Sequence, residues 1–264
     1  SQIIREVENT WFSLSKRYGM LCRKFGFTLA EVLITLGIIG IVAAMMLPPL
    51  VQKQQEKVTV ARVKKAYSIL QQAFMMAVQK DGPPDLWGVA EMYEPESHII
   101  TARKFMPYIK VLTDCTGMKS HEVYKKCTKS FSDNASYASF RIADGTTVIV
   151  RQWNGKCNGR YGNTKGLKNV CGQIMIDTNG TGRPDYLGQD IFSFYLTKQG
   201  LYPSGTEFDR ISIKTHCKRS VAWNQIIDSY ANGMGCTAWV LYNENMNYLH
   251  CDVDWENDKK SCRK

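Results

Sequence analysis

Residues 27–47 read FTLAEVLITLGIIGIVAAMML, and this stretch decides the fold of the N-terminal region. It holds 21 residues and one ionisable side chain, Glu31. As a helix, such a run is long enough to cross a hydrocarbon core about 30 Å thick. A cleaved secretory signal has a shorter apolar core, of roughly 7–15 residues, which ends in small residues. Here Pro48 and Pro49 follow the run, and the sequence therefore predicts a retained membrane helix.

Glu31 is the unusual residue of this stretch. A carboxylate in a membrane helix costs roughly 2–4 kcal/mol on insertion scales unless a partner neutralises it. One alternative is a tolerated charge near the interface, because a helix N-terminus favours a carboxylate. The setting of Glu31 is more informative than its charge, because Arg23-Lys24-Phe25-Gly26 directly precedes the apolar run.

Gly26 followed by FTLAEVLITLGIIGIVAAMMLP resembles the class III leader and N-terminal helix of type IV pilins and type II secretion pseudopilins. The resemblance implies that a prepilin peptidase cuts after Gly26 on the cytoplasmic side and N-methylates Phe27. It also implies that Glu31 neutralises the terminal amine of a neighbouring subunit and that Pro48 bends the helix. Two opposite charges that are each costly in an apolar filament core become tolerable when they meet, and their meeting sets the register between helices.

The leader predicted from this resemblance spans residues 1–26. Residues 20–26, MLCRKFG, would by themselves make a short basic leader. We therefore expect residues 1–19 to be either a longer leader or no part of the native product, and we leave them out of the fold prediction.

Cysteine usage predicts the compartment of the rest of the chain. Of nine cysteines, Cys22 lies in the leader and eight follow the apolar run. Dispersed cysteines in even number are typical of structural disulfides in an oxidising compartment. The distribution of basic residues does not choose a side, since they flank both ends of the run. We expect a single-pass protein of the inner membrane with a cytoplasmic N-terminus and an exported head.

Eight cysteines allow 105 connectivities. Pairing of nearest neighbours is the prediction, because each pair closes a loop of about 10–20 residues and contributes roughly 3 kcal/mol. The predicted pairs are Cys115–Cys127, Cys157–Cys171, Cys217–Cys236 and Cys251–Cys262. A zinc site built from His216-Cys217 and His250-Cys251 is the alternative, although the usual short-spaced cysteine pair is absent. No C-x-x-C redox motif occurs.

The chain after Pro49 predicts an amphipathic helix over residues 51–80. Apolar residues recur there at helical spacing, at Val60, Val63, Tyr67, Leu70, Phe74 and Val78. Residues 81–85, DGPPD, end the helix. The predicted helix therefore has a membrane-spanning and assembly half, residues 27–50, and a half that packs on the head.

Residues 81–264 are predicted to form this head. Residues 139–143 and 146–150 flank Asp144-Gly145 and predict a β-hairpin. Further predictions are a helix over residues 96–109 and strands over residues 173–176, 191–196 and 239–242. The expected fold class is α+β, with the long helix on a disulfide-rich antiparallel sheet.

The loop over residues 177–190 is a candidate calcium site. Asp177, Asn179, Asp185 and Asp190 supply hard oxygen ligands on a glycine-rich turn, as calcium prefers. Asp, Asn and Gly are also the ordinary residues of tight turns, so a purely structural loop is the alternative.

Residues 115–170 hold ten Lys or Arg and three acidic residues, interleaved with Tyr124, Trp153 and Tyr161. Such a pattern could bind DNA through phosphates and base stacking, although scattered lysines usually make a solvated face. The whole chain carries a net charge of +10, and residues 81–264 carry only +3 of it. A dedicated nucleic-acid protein is therefore disfavoured.

No catalytic motif is present: G-x-S-x-G, H-E-x-x-H, a P-loop and G-x-G-x-x-G are all missing. We therefore predict a non-enzymatic pseudopilin or minor pilin of a type IV pilus or type II secretion filament, with calcium as the one candidate cofactor. The predicted partners are other pilin-like subunits, a prepilin peptidase, the inner-membrane assembly platform and lipid. A single-pass receptor or enzyme that never polymerises, and a DNA-uptake pilin, are the alternatives.

Overall fold

A computed structural model describes residues 28–90, 94–129, 131, 136–183, 185–206, 208–219, 232–254 and 261–262. The chain divides into two compact units, of which the first ends at Val51 and the second begins at Gln52. The predicted leader, including Gly26, and the predicted new N-terminus, Phe27, lie outside the described residues.

One helix, α1, runs from Leu29 to Asp81 and contributes to both units. In the first unit its side chains are exposed, apart from the half-buried Ala43. Pro48 and Pro49 lie inside α1 and do not end it, although each removes one backbone donor. The helix predicted over residues 27–80 is confirmed in its described part.

The second half of α1 buries one stripe of side chains against the sheet. The fully buried positions are Val60, Val63, Ala66, Leu70, Ala73, Phe74 and Ala77, while the predicted stripe members Tyr67 and Val78 are partly buried. Three of these seven buried positions are alanines. The predicted amphipathic pattern is thus confirmed, with alanines added to it.

Polar side chains hold the same half of α1 in place. The Arg62 guanidinium donates to the carbonyl of Thr178 at 2.8 Å, and Lys65 lies 3.0 Å from the Asp144 carboxylate. The Gln71 amide accepts from the backbone N–H of Leu201 and donates to its carbonyl, both at 3.1 Å. Gln71 therefore occupies the hydrogen-bonding groups of an edge strand, which would otherwise be available to another chain.

Four further helices and six strands follow α1 among the described residues. The helices are α2 (Pro95–Phe105), α3 (Ser120–Lys126), α4 (Ile213–His216) and α5 (Thr237–Asn243). The strands are β1 (Val111–Asp114), β2 (Ala138–Ile142), β3 (Thr147–Gln152), β4 (Val170–Asp177), β5 (Ile191–Thr197) and β6 (Leu201–Pro203).

The strands form one sheet in the order β1-β2-β3-β4-β5-β6, and every neighbouring pair is antiparallel. The predicted hairpin is confirmed, with Ser139 opposite Ile149 and a turn at Asp144-Gly145. Gly145 has φ +88°, a backbone conformation that favours glycine. The predicted α+β head with an antiparallel sheet is therefore confirmed.

Both faces of the sheet are buried. In β4, Ile174 and Ile176 belong to the core under α1 and α2, whereas Met175 belongs to a second core that also contains Leu167 and Ile211. Successive side chains of a strand point to opposite faces, so loops cover the face away from α1. This double burial explains why every residue of β4 and β5 is buried.

The strand predicted over residues 239–242 is wrong, because these residues form α5. Trp239 and Val240 are adjacent and pack in the same core, which a helix permits and a strand with alternating faces does not. A short apolar run cannot be assigned from its periodicity alone. The predicted helix over residues 96–109 is shorter than expected, since α2 ends at Phe105 and a 3-10 turn, Met106–Tyr108, follows.

The eight cysteines that follow the apolar run form four disulfides. They are Cys115–Cys127, Cys157–Cys171, Cys217–Cys236 and Cys251–Cys262, the nearest-neighbour pairs. The zinc alternative is wrong, because the thiols of Cys217 and Cys251 are used in disulfides.

Candidate assembly site and head loops

The candidate assembly residue, Glu31, lies in the first turn of α1. Its Oε2 atom accepts hydrogen bonds from the backbone N–H of Thr28 at 2.8 Å and from the Thr28 hydroxyl at 2.9 Å. Thr28 Oγ1 in turn accepts from the Glu31 N–H at 3.2 Å. This reciprocal pair is a capping box, which satisfies backbone donors at a helix start. The sequence analysis missed this role, although the spacing Thr-x-x-Glu signals it.

The two oxygens of Glu31 are used differently. Both hydrogen bonds from Thr28 end on Oε2, and within the described residues Oε1 accepts none. The side chain is exposed. Glu31 can therefore hold the start of its own helix with one oxygen while the other binds a cation from outside.

The first half of α1 presents an apolar surface on all sides. Its exposed large apolar side chains run from Leu29 to Val51. Among the described residues, α1 is the one helix long and apolar enough to cross a membrane. An exposed apolar surface of this extent marks contact with lipid or with other proteins.

The candidate calcium loop connects β4 to β5 and is built around two buried carboxylates. Asp177 Oδ1 accepts from the backbone N–H groups of Asn179 and Gly180 at 3.1 and 2.8 Å, and Oδ2 accepts from the Thr128 hydroxyl at 3.2 Å. Asp190 Oδ2 accepts from the Asn179 side-chain amide at 2.8 Å. The structure thus brings Asp177, Asn179 and Asp190 together through these hydrogen bonds.

The charges in this loop disfavour full ionisation. Burial raises the pKa of Asp177 well above its usual range, and the neighbouring Asp190 adds to the effect. Burial also raises the pKa of Asp190 to about 7 and, in the same direction, the pKa of Asp185. One buried oxygen of Asp185, Oδ1, has no hydrogen-bond partner among the described residues. Buried carboxyls of this kind need either protons or a cation.

Calcium in this loop stays a prediction. The buried Asp185 oxygen suits a cation, whereas the oxygens of Asp177 and Asp190 already accept hydrogen bonds. No group of three His, Cys, Asp or Glu side chains is placed to hold a metal ion in the described part of the chain. If calcium binds, the full-length protein in detergent should melt at a higher temperature in calcium chloride than in EGTA. An unchanged melting temperature would count against the prediction.

The same loop predicts a dependence of stability on pH in the presence of EGTA. The pKa of Asp190 is about 7 in the folded chain and about 3.9 in an unfolded one, so the folded state holds the extra proton between these values. The free energy of unfolding should therefore fall as pH rises from about 4 to 7, by on the order of 1 kcal/mol per pH unit. Melting curves at pH 5 and pH 8 measure this fall.

Asp190→Asn should reduce this fall in stability, because the amide does not titrate. Asp252→Asn, at an exposed carboxylate, is the matched control and should leave it unchanged. If the free energy of unfolding falls with pH equally in the wild type and in Asp190→Asn, Asp190 is ionised in the folded chain at pH 5.

Two of the three aromatic residues proposed to stack on DNA bases are engaged within the protein. Trp153 and Tyr161 stack on each other at 4.9 Å between ring centroids, and both contact the buried Tyr195. Tyr124 is exposed on α3. Of these three aromatic residues, Tyr124 alone is exposed, so they offer at most one exposed ring for base stacking.

Two family models match the chain. A model described as a family of unknown function (DUF6613) matches residues 49–248. The prokaryotic N-terminal methylation motif matches residues 21–47. No curated protein and no solved structure matches the chain. The first match covers the second half of α1 and most of the head, and the second covers the predicted cleavage site and the apolar half of α1.

Proposed function

We propose that this chain, which belongs to the family of unknown function DUF6613, is a pseudopilin or minor pilin. It joins the N-terminal methylation motif to a long apolar helix, as type IV pilin-like proteins do. In this role it is a structural subunit of a type IV pilus or type II secretion filament. The first half of α1 anchors the precursor in the inner membrane and then forms the filament core.

The proposal depends most on the geometry at the start of α1. A terminal amine and a carboxylate are each costly in an apolar environment, and pairing offsets much of that cost. Oε1 of Glu31, which accepts no hydrogen bond from the described residues, supplies the carboxylate without breaking the capping box at Oε2. The amine is that of Phe27 in a neighbouring subunit, after cleavage behind Gly26.

The head serves an architectural role in this proposal. Export of residues 81–264 to an oxidising compartment accounts for four disulfides in one chain. The proposed partners are pilin-like subunits, a prepilin peptidase and the assembly platform of the inner membrane. We propose no catalytic activity for the head.

Processing by the peptidase is the direct test. When the full-length chain is co-expressed with a prepilin peptidase, we expect a shortened product that begins with N-methylated Phe27. Gly26→Ala should leave the precursor uncut, because the enlarged side chain no longer fits a site selective for glycine. Mass spectrometry of the membrane fraction measures both products.

Gly37→Ala is the matched control for processing. Gly37 lies in α1, and a Cβ atom there meets nothing within 4 Å. This variant should be cut like the wild type. A wild-type chain that remains intact across the bond between residues 26 and 27, in active filaments or in an active membrane receptor, would contradict the proposal.

A further inference from the structure

One surface loop of the head is strongly basic. Between Gly145 and Ile176 the chain has five basic residues and no acidic one. Four of the five are exposed, and within the described residues none of the four forms an ion pair: Lys156, Arg160, Lys165 and Lys168. We call residues 156–168 the basic loop. Exposed cations of this kind give the loop a positive field that attracts anionic groups.

The basic loop is held in one shape by covalent and backbone bonds. The Cys157–Cys171 disulfide closes it, and Gly159 and Val170 exchange two backbone hydrogen bonds of 3.1 Å. These bonds fix the backbone that carries the four cations. The loop can therefore bind several anionic groups at once with a smaller loss of conformational entropy than a free loop.

An exposed phenyl ring lies beside the basic loop. The carbonyl of Phe208 accepts a hydrogen bond from the N–H of Asn163 at 3.3 Å, and the next residue, Asp209, forms an antiparallel bridge with Gly162. Phe208 is 57% exposed, whereas Asp209 is buried and accepts from the Tyr195 hydroxyl at 2.8 Å. The described part of this segment thus brings an apolar ring to the loop and keeps its carboxylate inside the head.

We propose that the basic loop and Phe208 bind the surface of an anionic lipid membrane. Lysine and arginine side chains near such a surface are attracted to the lipid phosphates, and an apolar ring enters the boundary between headgroups and acyl chains. Phe208 favours lipid over duplex DNA, because DNA presents phosphates without an apolar layer beneath them. This activity goes beyond the filament role, since it needs neither cleavage after Gly26 nor polymerisation.

Vesicle binding by the full-length chain tests this activity. The uncleaved chain is held in neutral phosphatidylcholine nanodiscs on a solid support, so that the apolar half of α1 is already inserted in lipid. Fluorescent vesicles of mixed phosphatidylglycerol and phosphatidylcholine, or of phosphatidylcholine alone, are then added. We expect only the acidic vesicles to bind, and high salt should reduce their binding because it screens exposed charges. Equal binding of both kinds of vesicle, or binding of neither, would overturn the inference.

Charge variants test the role of the basic loop. Lys165→Gln with Lys168→Gln should lower the binding of acidic vesicles about thirtyfold, since each basic residue near an anionic surface contributes about fivefold. Lys165→Glu with Lys168→Glu should lower it further. Lys110→Glu with Lys125→Glu makes the same change of charge at two exposed lysines outside the loop and should bind like the wild type. Equal binding by the loop variants and this control, at unchanged melting temperatures, would contradict the proposal.

A variant of the phenyl ring tests the contact with lipid. Phe208→Ala should lower the binding of acidic vesicles about tenfold, because the ring no longer leaves water for the membrane. The remaining binding should keep its dependence on salt. Tyr242→Ala, at a ring on α5 that is 64% exposed, is the control and should bind like the wild type. If Phe208→Ala also binds like the wild type, no apolar contact is made and the choice of a lipid surface is wrong.

Two further measurements separate lipid from nucleic acid and this inference from the filament role. Fluorescent duplex DNA is added to the same nanodiscs in place of vesicles. If the chain binds DNA and not acidic vesicles, the basic loop serves another polyanion and the inference is overturned. Gly26→Ala, which should remain uncut, is expected to bind acidic vesicles like the wild type, and a loss of binding in this variant would show that the activity depends on processing.

Discussion

Glu31→Val should leave the precursor processed and inserted in the membrane but should lower its incorporation into filaments. A charge-assisted hydrogen bond contributes about 1.5–3 kcal/mol, so we expect incorporation into filaments to fall by roughly tenfold to a hundredfold. Insertion should not suffer, because valine removes a charge from an apolar helix. Cleavage is measured by mass spectrometry and incorporation by the yield of subunit in sheared or purified filaments.

Two variants separate the charge of Glu31 from its capping role. Glu31→Gln keeps a side chain that can complete the capping box and removes the negative charge, so it should assemble as poorly as Glu31→Val. Thr28→Ala removes the capping partner of Glu31 and keeps the charge, so it should assemble much better than either. Normal incorporation of Glu31→Gln would show that no carboxylate–amine pair is needed.

Gly205→Ala should unfold much of the head, because it should lower the free energy of unfolding by at least about 3 kcal/mol. Gly205 has φ +100°, and a Cβ atom there would lie 1.8 Å from the carbonyl oxygen of Gly235. Its N–H also donates at 2.8 Å to Asp209, a buried carboxylate that accepts from the Tyr195 hydroxyl. A side chain at Gly205 must therefore push the backbone at Gly205 away from the backbone at Gly235, or break the hydrogen bonds of Asp209.

Gly88→Ala is the control for Gly205→Ala. Gly88 has φ +71°, a similar backbone strain, but a Cβ atom there meets nothing within 4 Å. Gly88→Ala should lower the free energy of unfolding by about 1 kcal/mol, the penalty for alanine in the left-handed backbone conformation. Thermal melting of the two full-length variants measures the difference, and equal losses would show that the approach of Gly205 to Gly235 is not tight.

The long helix α1 could be predicted well because its signals are local. An apolar run of helix length, a proline pair and the Gly26–Glu31 motif lie within about thirty consecutive residues, and the stripe from Val60 to Phe74 follows the helical period. The Asp144-Gly145 hairpin is equally local, since turn chemistry and alternation lie within one short segment.

The same kind of argument failed where the answer depends on distant residues. The run 239–242 has the composition of a strand, yet it forms α5 because its adjacent side chains pack in the core beneath α1. Strands β1 and β6 were missed, since each is short and is defined by its pairing with β2 or β5. The role of Gln71 at the edge of β6 could not be predicted either, as 130 residues separate it from Leu201.

The long helix with its apolar first half and the even set of cysteines after it could be read from the sequence, because helix period, hydrophobic length and cysteine number need only neighbouring residues or a count. The pilin-like assignment came from the resemblance of residues 26–48 to that family and from the N-terminal methylation motif. How the functional groups are used depends on contacts that the folded chain makes. In the folded chain one oxygen of Glu31 caps its own helix, burial raises the pKa values of Asp177 and Asp190, and Trp153 stacks on Tyr161. Burial and pairing depend on which distant segments meet, and that information exists only once the chain has folded.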